Sequence, residues 1–286
     1  MYYAIVLLSV VLFGICFALN DTYRKLRTSC LASSLESAFV GSLAGLGVLL
    51  VISGFSFQAT PFTLLIAFLS ALSGILFTFC SFKALDSANL SLYSLFSMLG
   101  GMALPFFRGI LFYGEKITLA KILCVILVCI ALGLSVSREK GKRGTIYYIG
   151  VFVLNGMAGV LSKVFASAPY AKADAQWFSI WIAVFTAVIS GALWLAFFRK
   201  KALPGYTWKA FSVSALSGSV NRLANFLLVL ALAHLDASVQ YPMVTGGVII
   251  ISTAICFFGK NKPTKKELLS VLLAFLGMLA LFLIKT

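Results

Sequence analysis

The residues with the clearest chemical potential are three polar side chains inside one apolar stretch. Asn221, Arg222 and Asn225 lie within the block that runs from 208 to 233. On a helix Asn221 and Asn225 share one face, and Arg222 is turned about 100° away from it. A guanidinium group holds a carboxylate or phosphate through two parallel hydrogen bonds, and neighbouring amides select its polar partners. The trio predicts a binding site for an anion or zwitterion; pairing of Arg222 with a neighbouring helix is the alternative.

Further polar residues lie beside glycine or proline breaks in other apolar stretches: Asn155, Tyr93, Ser97, Gln240, Tyr241 and Thr245. Spans interrupted at matching places in two halves of a membrane protein indicate a transport site near the midplane. We therefore treat all six as candidate substrate contacts. The alternative is that the glycines serve only helix packing and that Asn155 forms an interhelical hydrogen bond.

Three other charged residues have weaker claims to function. Glu36 could carry a coupling proton, but an ion pair with the stretch from Arg24 to Arg27 is the simpler expectation. Lys163 and Arg108 lie near the ends of their stretches, and we expect them to extend to the membrane surface. The six cysteines have no Cys-x-x-Cys spacing and the chain has one histidine, so we predict no metal site and no cofactor.

Composition decides the class of protein. The 286 residues are 61% apolar and 11% charged, with a mean hydropathy of +1.05, whereas soluble domains are about 25% charged. This excludes a soluble enzyme, a disulfide scaffold and a disordered chain. Ten apolar blocks are long enough to cross a bilayer as helices. They run over 2–20, 32–54, 62–82, 88–113, 118–136, 144–167, 175–198, 208–233, 237–259 and 266–284.

The basic residues predict how the chain is oriented. The net charge of +15 would suggest a nucleic-acid partner in a soluble protein, but here the charges lie in short loops. We therefore expect a lipid bilayer and no nucleic acid as the environment. One set of alternate loops holds Arg24, Lys25, Arg27, Lys83, Arg138, Lys140, Lys142, Arg143, Arg199, Lys200, Lys201, Lys209, Lys260, Lys262, Lys265 and Lys266, and the other side holds only Lys116, Lys121, Lys172 and Lys285. This bias predicts a multi-pass protein of the plasma membrane with cytoplasmic basic loops and both termini outside.

The second half of the sequence repeats the first. Residues 70–74 recur identically as residues 214–218, and paired tyrosines begin the first and sixth blocks. At a constant offset of 147, Phe79, Ala84, Leu85, Ser91 and Gly100 match Phe226, Ala231, Leu232, Ser238 and Gly247. The pattern predicts two five-helix repeats, 1–140 and 141–286. Because five is odd, the repeats must be inserted in opposite orientations, an architecture typical of secondary transporters that work by alternating access.

The turn before the fifth block carries a family resemblance. Gly100-Gly101 and Pro105 are followed by Gly114-Glu115-Lys116-Ile117-Thr118, and Ala84-Leu85 ends the third block. These features resemble the drug/metabolite transporter superfamily in its ten-helix EamA-like branch. The second half departs from the pattern, since Gly259 is followed by Lys260 where the glutamate would stand. The resemblance implies secondary transport of small organic molecules.

The function expected from the sequence is therefore a secondary transporter for a small polar metabolite, with a preference for an anionic or zwitterionic one. A coupling proton or ion is a further candidate partner. Transport of organic cations, such as choline-like or drug-like compounds, is the main alternative, followed by a lipid-handling or channel-like protein. An enzyme is not expected, since the sequence has no His-Glu-x-x-His pair, no Gly-x-Ser-x-Gly elbow and no phosphate-binding loop. Substrate, direction and coupling stay open.

Overall fold

The protein folds into a bundle of α-helices. The computed structural model describes residues 1–27, 30–54, 56–86, 90–135, 145–198, 207–258 and 265–283. Within these residues the chain forms ten helices: α1 (Tyr2–Leu26), α2 (Leu31–Ile52), α3 (Pro61–Asp86), α4 (Leu90–Tyr113), α5 (Leu119–Ser135), α6 (Thr145–Ser167), α7 (Ala175–Phe198), α8 (Trp208–Leu232), α9 (Ala237–Phe258) and α10 (Lys265–Leu283). The all-helical prediction is confirmed.

Seven helices in the described part of the chain are long and apolar enough to cross a membrane. They are the helical stretches Tyr2–Asn20, Leu31–Ile52, Pro61–Ser81, Phe96–Tyr113, Ile146–Ser167, Ala175–Phe198 and Trp208–Leu232. The apolar stretches of the other three helices are shorter: Leu119–Leu134, Ala237–Ile251 and Leu268–Ala280. The structure therefore agrees with a multi-pass helical membrane protein.

Two helices continue beyond the predicted apolar blocks. The block 2–20 belongs to a helix that ends at Leu26, where Arg27 turns to an extended conformation, and the block 62–82 belongs to one that ends at Asp86. No glycine or proline interrupts either extension. Hydropathy marks where the chain leaves the lipid, but the backbone hydrogen bonds of the helix continue further.

The outer surface of the bundle is apolar. On α5 the side chains of Ile122, Ile126 and Ile130 follow one face and are 41–49% exposed, whereas Cys124 and Val128 are fully buried. A stripe of exposed isoleucine has no favourable contact in water and matches a lipid environment. Inside, the side chains pack in several small clusters, each formed by two to four helices, which suits a bundle whose interior also holds polar groups.

Close backbone contact joins α2 to α8. Ser37 lies beside Ser214, Gly41 beside Gly218 and Gly45 beside Arg222. Because both sequences advance together, these two helices run parallel. A Cβ atom at Gly218 would collide with the Gly41 backbone, so this contact requires glycine.

Other contacts fix the directions of six more helices. Two more pairs of helices run parallel. The first is α4 with α6, where Gly100 lies beside Phe152 and Leu104 lies beside Gly156. The second is α1 with α9, where Val10 lies beside Gly247 and Gly14 lies beside Ile251. Antiparallel packing joins α1 to α8 through Ser9 with Ala224 and Cys16 with Ser217, and α2 to α7 through Leu49 with Trp177 and Phe39 with Gly191. α3 lies antiparallel to α6, through Ser73 with Leu154 and Cys80 with Gly150, and parallel to α7, through Thr63 with Ala173 and Phe68 with Phe185. Up to α4, and again from α6 to α9, successive helices therefore alternate in direction.

The glycine contact between α2 and α8 generates a stability prediction. Gly218→Ala should lower the thermal unfolding midpoint, because overpacking a close contact costs about 1–3 kcal/mol. Gly74→Ala is the matched control: Gly74 occupies the equivalent place in the sequence repeat, and nothing lies within 4 Å of a Cβ atom there. Unfolding of the detergent-purified variants measures both. Equal midpoints for the two variants would contradict the contact.

Candidate functional site

Helix α8 positions the three polar residues that the sequence singled out. It begins at Trp208, where the Thr207 hydroxyl accepts a hydrogen bond from the Ala210 amide at 3.2 Å. All three polar side chains are partly buried at the middle of the helix. Asn225 donates to the carbonyl and side-chain oxygens of Asn221 at 2.8 and 3.1 Å, so these two amides form one unit on one face, as expected.

The face of α8 that carries Asn221 packs against α1. The Asn221 amide lies 3.6 Å from the Cys16 sulfur, and the Ser217 hydroxyl donates to Asn20 Oδ1 at 2.6 Å. Asn20 in turn lies 3.6 Å from the same sulfur. We call Cys16, Asn20, Ser217 and Asn221 the α1–α8 polar cluster. Cys16 is buried and Asn20 is exposed, so the cluster reaches from the helix interface to an open surface.

Arg222 points to a different neighbour. Its guanidinium donates to Ser42 Oγ at 2.9 Å, and the stem of its side chain lies against Gly45 of α2, where a Cβ atom would collide with it. The ion pairs in the described part of the chain join Arg27 to Glu36, Lys121 to Asp236 and Lys163 to Glu115, and none involves Arg222. The guanidinium therefore has one neutral partner and no carboxylate among the described residues.

Two other candidates meet across α6 and α4. Asn155 donates to the Ser97 carbonyl at 2.6 Å and to its hydroxyl at 3.2 Å, beside Gly101. The structure therefore brings these predicted site residues together in the interhelical hydrogen bond that the sequence left as the alternative. Tyr93 belongs to α4, but its side chain lies outside the described residues.

The α9 candidates are buried against neighbouring helices. Gln240 donates to the Leu228 carbonyl at 2.7 Å, and the Tyr241 hydroxyl donates to the Gly159 carbonyl at 2.9 Å. Thr245 lies one turn further along and is 9% exposed. Gln240 is fully buried, and its Oε1 atom has no hydrogen-bond partner among the described residues. Among the described residues it is the one α9 candidate with a fully buried polar atom that lacks a partner.

Glu36 and Lys163 have well-defined partners. Glu36 forms the expected ion pair with Arg27. Lys163 is a correction: it does not extend to the surface but is 6% exposed and binds Glu115 at 3.0 Å. The expectation was wrong because it rested on the distance of Lys163 from its helix end, whereas a carboxylate from a turn distant in sequence pairs with the ammonium group inside the bundle. Arg108 lies with its guanidinium carbon 4.1 Å from the centre of the Phe112 ring.

The sequence analysis missed the role of Glu115. Its carboxylate accepts hydrogen bonds from the amides of Ala237 and Ser238 at 2.9 Å each and from the Ser238 hydroxyl. These amides belong to the first turn of α9, where free N–H groups and the helix dipole favour an anion. Gly114, with a φ of +63°, lets the chain turn sharply enough to present this carboxylate. The corresponding turn after α9 lies outside the described residues.

The surroundings of Glu115 keep it charged. Burial alone would raise the pKa of its carboxyl group. The hydrogen bonds from Ser238, Ala237 and Lys163 outweigh this effect and hold that pKa below its usual value. Because the folded-state pKa is depressed, the carboxylate stabilises the fold near neutral pH, and the contribution is lost only as the pH falls through the lowered pKa.

A cleft of about 320 Å³ opens elsewhere, between α2 and α7. Its walls are formed by Glu36, Phe39, Val40, Gly191, Trp194 and Leu195. Of the predicted site residues it includes Glu36. The cleft is mostly apolar and lies away from Asn221 and Asn155, so its lining does not combine the polar groups that a small polar ligand requires.

Comparison with known proteins adds information on the fold. No protein-family model and no curated protein match the sequence. One solved structure, described only as a crystal structure of a protein, resembles this chain with a TM-score of 0.73 at 14% sequence identity. The match covers 99% of each chain, so the whole bundle, rather than a part of it, has a counterpart of known structure. A shared fold does not define a function.

The unused oxygen of Gln240 generates a prediction. Gln240→Leu should leave the thermal unfolding midpoint unchanged or raise it, because the replacement keeps most of the volume and removes an unsatisfied buried acceptor. Gln240→Ala should lower the midpoint, since a cavity in a core costs about 2 kcal/mol or more. Unfolding of the purified variants compares the two. A midpoint in Gln240→Leu as low as in Gln240→Ala would mean that the oxygen is bonded in the folded protein.

Proposed function

We propose that this protein is a secondary transporter of the drug/metabolite transporter type, which moves a small polar metabolite across the plasma membrane by alternating access. The preferred substrate carries a carboxylate or phosphate, alone or in a zwitterion. The observation that carries this proposal is the arginine at the middle of α8, which has no acidic partner among the described residues.

An unpaired arginine inside a membrane protein requires compensation. On insertion scales the residue costs about 2.5–3.5 kcal/mol at the centre of a helix, and one hydrogen bond to a serine oxygen offsets little of this. Arg222 is partly exposed, and its other N–H groups, which have no hydrogen bond among the described residues, could bind a ligand. A substrate carboxylate or phosphate would supply the missing charge through two parallel hydrogen bonds. Binding then stabilises the protein as well as the ligand.

The α1–α8 polar cluster supports a polar rather than an apolar substrate. Asn221 lies next to Arg222 in sequence, and its side chain faces Cys16 and Asn20 on α1. Amide and hydroxyl groups of this kind can donate and accept, so they can bind the neutral polar part of a metabolite. Asn155 and Ser97 extend the set of polar groups on α6 and α4.

Equivalent contacts in the two halves support an inverted repeat. If α1–α5 correspond to α6–α10, the packing of α4 on α6 should recur as that of α9 on α1. The matching contacts are Gly100 with Phe152 and Gly247 with Val10, then Leu104 with Gly156 and Ile251 with Gly14. Each helix from α1 to α4 also runs opposite to its counterpart. Rocking of two such halves about a central site is the usual basis of alternating access.

The orientation follows from the basic loops. We place the loops after α1, α3, α5, α7 and α9 in the cytoplasm and both termini outside, according to the positive-inside rule. Glu36 is already paired with Arg27, so we assign the coupling of transport to no residue. Organic cations remain the competing substrate class, and the experiment below includes them.

Arg222→Ala should abolish substrate counterflow in proteoliposomes, because the group that neutralises the substrate charge is lost. Arg222→Lys keeps the charge but not the forked geometry, and we expect its apparent affinity to fall by roughly tenfold, the equivalent of one good hydrogen bond. Lys209→Ala removes an exposed charge from the first turn of the same helix and should transport normally. Carboxylates, phosphate esters, zwitterions and quaternary ammonium compounds should be tested in parallel.

Normal counterflow in a folded, monodisperse Arg222→Ala protein would overturn the assignment of Arg222. Counterflow of ammonium compounds alone would replace the anionic substrate class by the cationic one. Stabilisation by an anionic compound that is lost in Arg222→Ala, without any counterflow, would indicate a binding protein instead of a carrier.

A further inference from the structure

One ion pair, Arg27 with Glu36, lies beside the loop between α1 and α2. A second group of buried charges lies at the opposite end of the bundle. Glu115 follows α4, while its partners Lys163, Ala237 and Ser238 belong to α6 and α9. Nearby, Lys121 at the start of α5 binds Asp236, which precedes α9, at 2.7 Å. Both ion pairs of this second group therefore join a residue before position 140 to a residue after it.

We propose that Glu115, Lys163 and the first turn of α9 form an ionic clamp that closes this end of the bundle and must release before the polar site opens there. The clamp rests on the proposed function only in that transport would require its release. It assigns to Glu115 a positioning role, because its carboxylate would act on α6 and α9 without touching substrate.

The geometry of Glu115 fits a clamp. Each carboxylate oxygen accepts hydrogen bonds from two groups: Oε1 from Lys163 and the Ala237 amide, and Oε2 from the amide and hydroxyl of Ser238. The side chain is 4% exposed. Gly109 has no room for a Cβ atom, which would collide with the carboxylate, and its carbonyl accepts the Glu115 amide at 3.2 Å. The carboxylate is thus positioned by α4 and the turn that follows it, and bound by groups of α6 and α9.

The chemistry of the clamp is suited to opening as well as to closing. Separated apolar surfaces have no good partner in water, whereas separated carboxylate, ammonium and amide groups are readily hydrated. The neighbouring Asp236 side chain is 49% exposed, so water already reaches the edge of this contact. The ion pair between Arg27 and Glu36 differs, because it joins α1 and α2 of the same half.

Labelling of Cys16 tests the clamp without any substrate. Cys16 is only 4% exposed within the α1–α8 polar cluster, so its rate of labelling by a charged, membrane-impermeant maleimide increases when an end of the bundle opens. The background protein keeps this thiol and replaces the others through Cys30→Ser, Cys80→Ser, Cys124→Ala, Cys129→Ala and Cys256→Ala. A separate cysteine-free protein with Lys116→Cys identifies the membrane face on which the α4–α5 turn lies. Vesicles of both orientations allow reagent to be added from either face.

Glu115→Gln should raise the labelling rate of Cys16 from the face marked by Lys116→Cys, and from that face only. We expect roughly a tenfold increase, because loss of one charge-assisted network shifts such an equilibrium by about one decade. Asp174→Asn is the matched control. Asp174 is an exposed acid whose hydrogen bond to Gln58 also joins the two halves, but no cation takes part in that contact. Asparagine at this position keeps an acceptor oxygen. The control should label like the background protein.

An unchanged rate in folded Glu115→Gln protein, or an equal increase from both faces, would overturn the clamp. Should Glu115→Gln not fold, Ser238→Ala removes a single donor from the carboxylate and should still give a smaller increase from the same face. The two proposals fail in different ways. Counterflow with an unchanged labelling rate refutes the clamp alone. An increased labelling rate without counterflow of any substrate class refutes the carrier alone.

Discussion

The contact of Gly41 with Gly218 is the constraint on which the candidate site depends. Only without side chains can α2 and α8 approach so closely, and this approach brings Ser42 within hydrogen-bond distance of Arg222. Gly45 then leaves room for the stem of the arginine. The same helix presents Asn221 to α1 on its other side. One backbone contact therefore decides both where the charge lies and which groups surround it.

The sequence predicted the helices well, because the length of an apolar stretch is a local property. The sequence did not predict side-chain contacts whose partner is distant along the chain. Lys163 pairs with Glu115, and Arg222 pairs with Ser42, but no pattern near either residue indicates that partner. Cys16 and Asn20 were overlooked for the same reason, since a cysteine and an asparagine in an apolar helix carry no spacing signal of their own. A sequence identifies a polar residue within an apolar stretch, but only the packed structure identifies the residues that it contacts.

Within the proposed repeat, the sequence matches differ in how well they fit the contacts between helices. Gly100 and Gly247 occupy equivalent contacts, in agreement with the offset of 147. The tyrosine pairs that begin α1 and α6 do not agree with the contacts around them, which match Gly14 with Gly156 instead. Aromatic residues are common at the ends of spans because they favour the membrane interface. Their recurrence therefore reports depth in the bilayer, whereas glycines at crossing points report helix packing.

The start of α9 obtains its acceptor from far away in the chain. Helices are usually capped by a side chain next to their first turn, but the Ala237 amide is bound by Glu115, 122 positions earlier. During synthesis this acceptor emerges long before the helix that needs it. The order of synthesis thus places the acceptor ahead of its donors, and the first amides of α9 can bind the carboxylate as soon as α9 packs against the turn that carries Glu115.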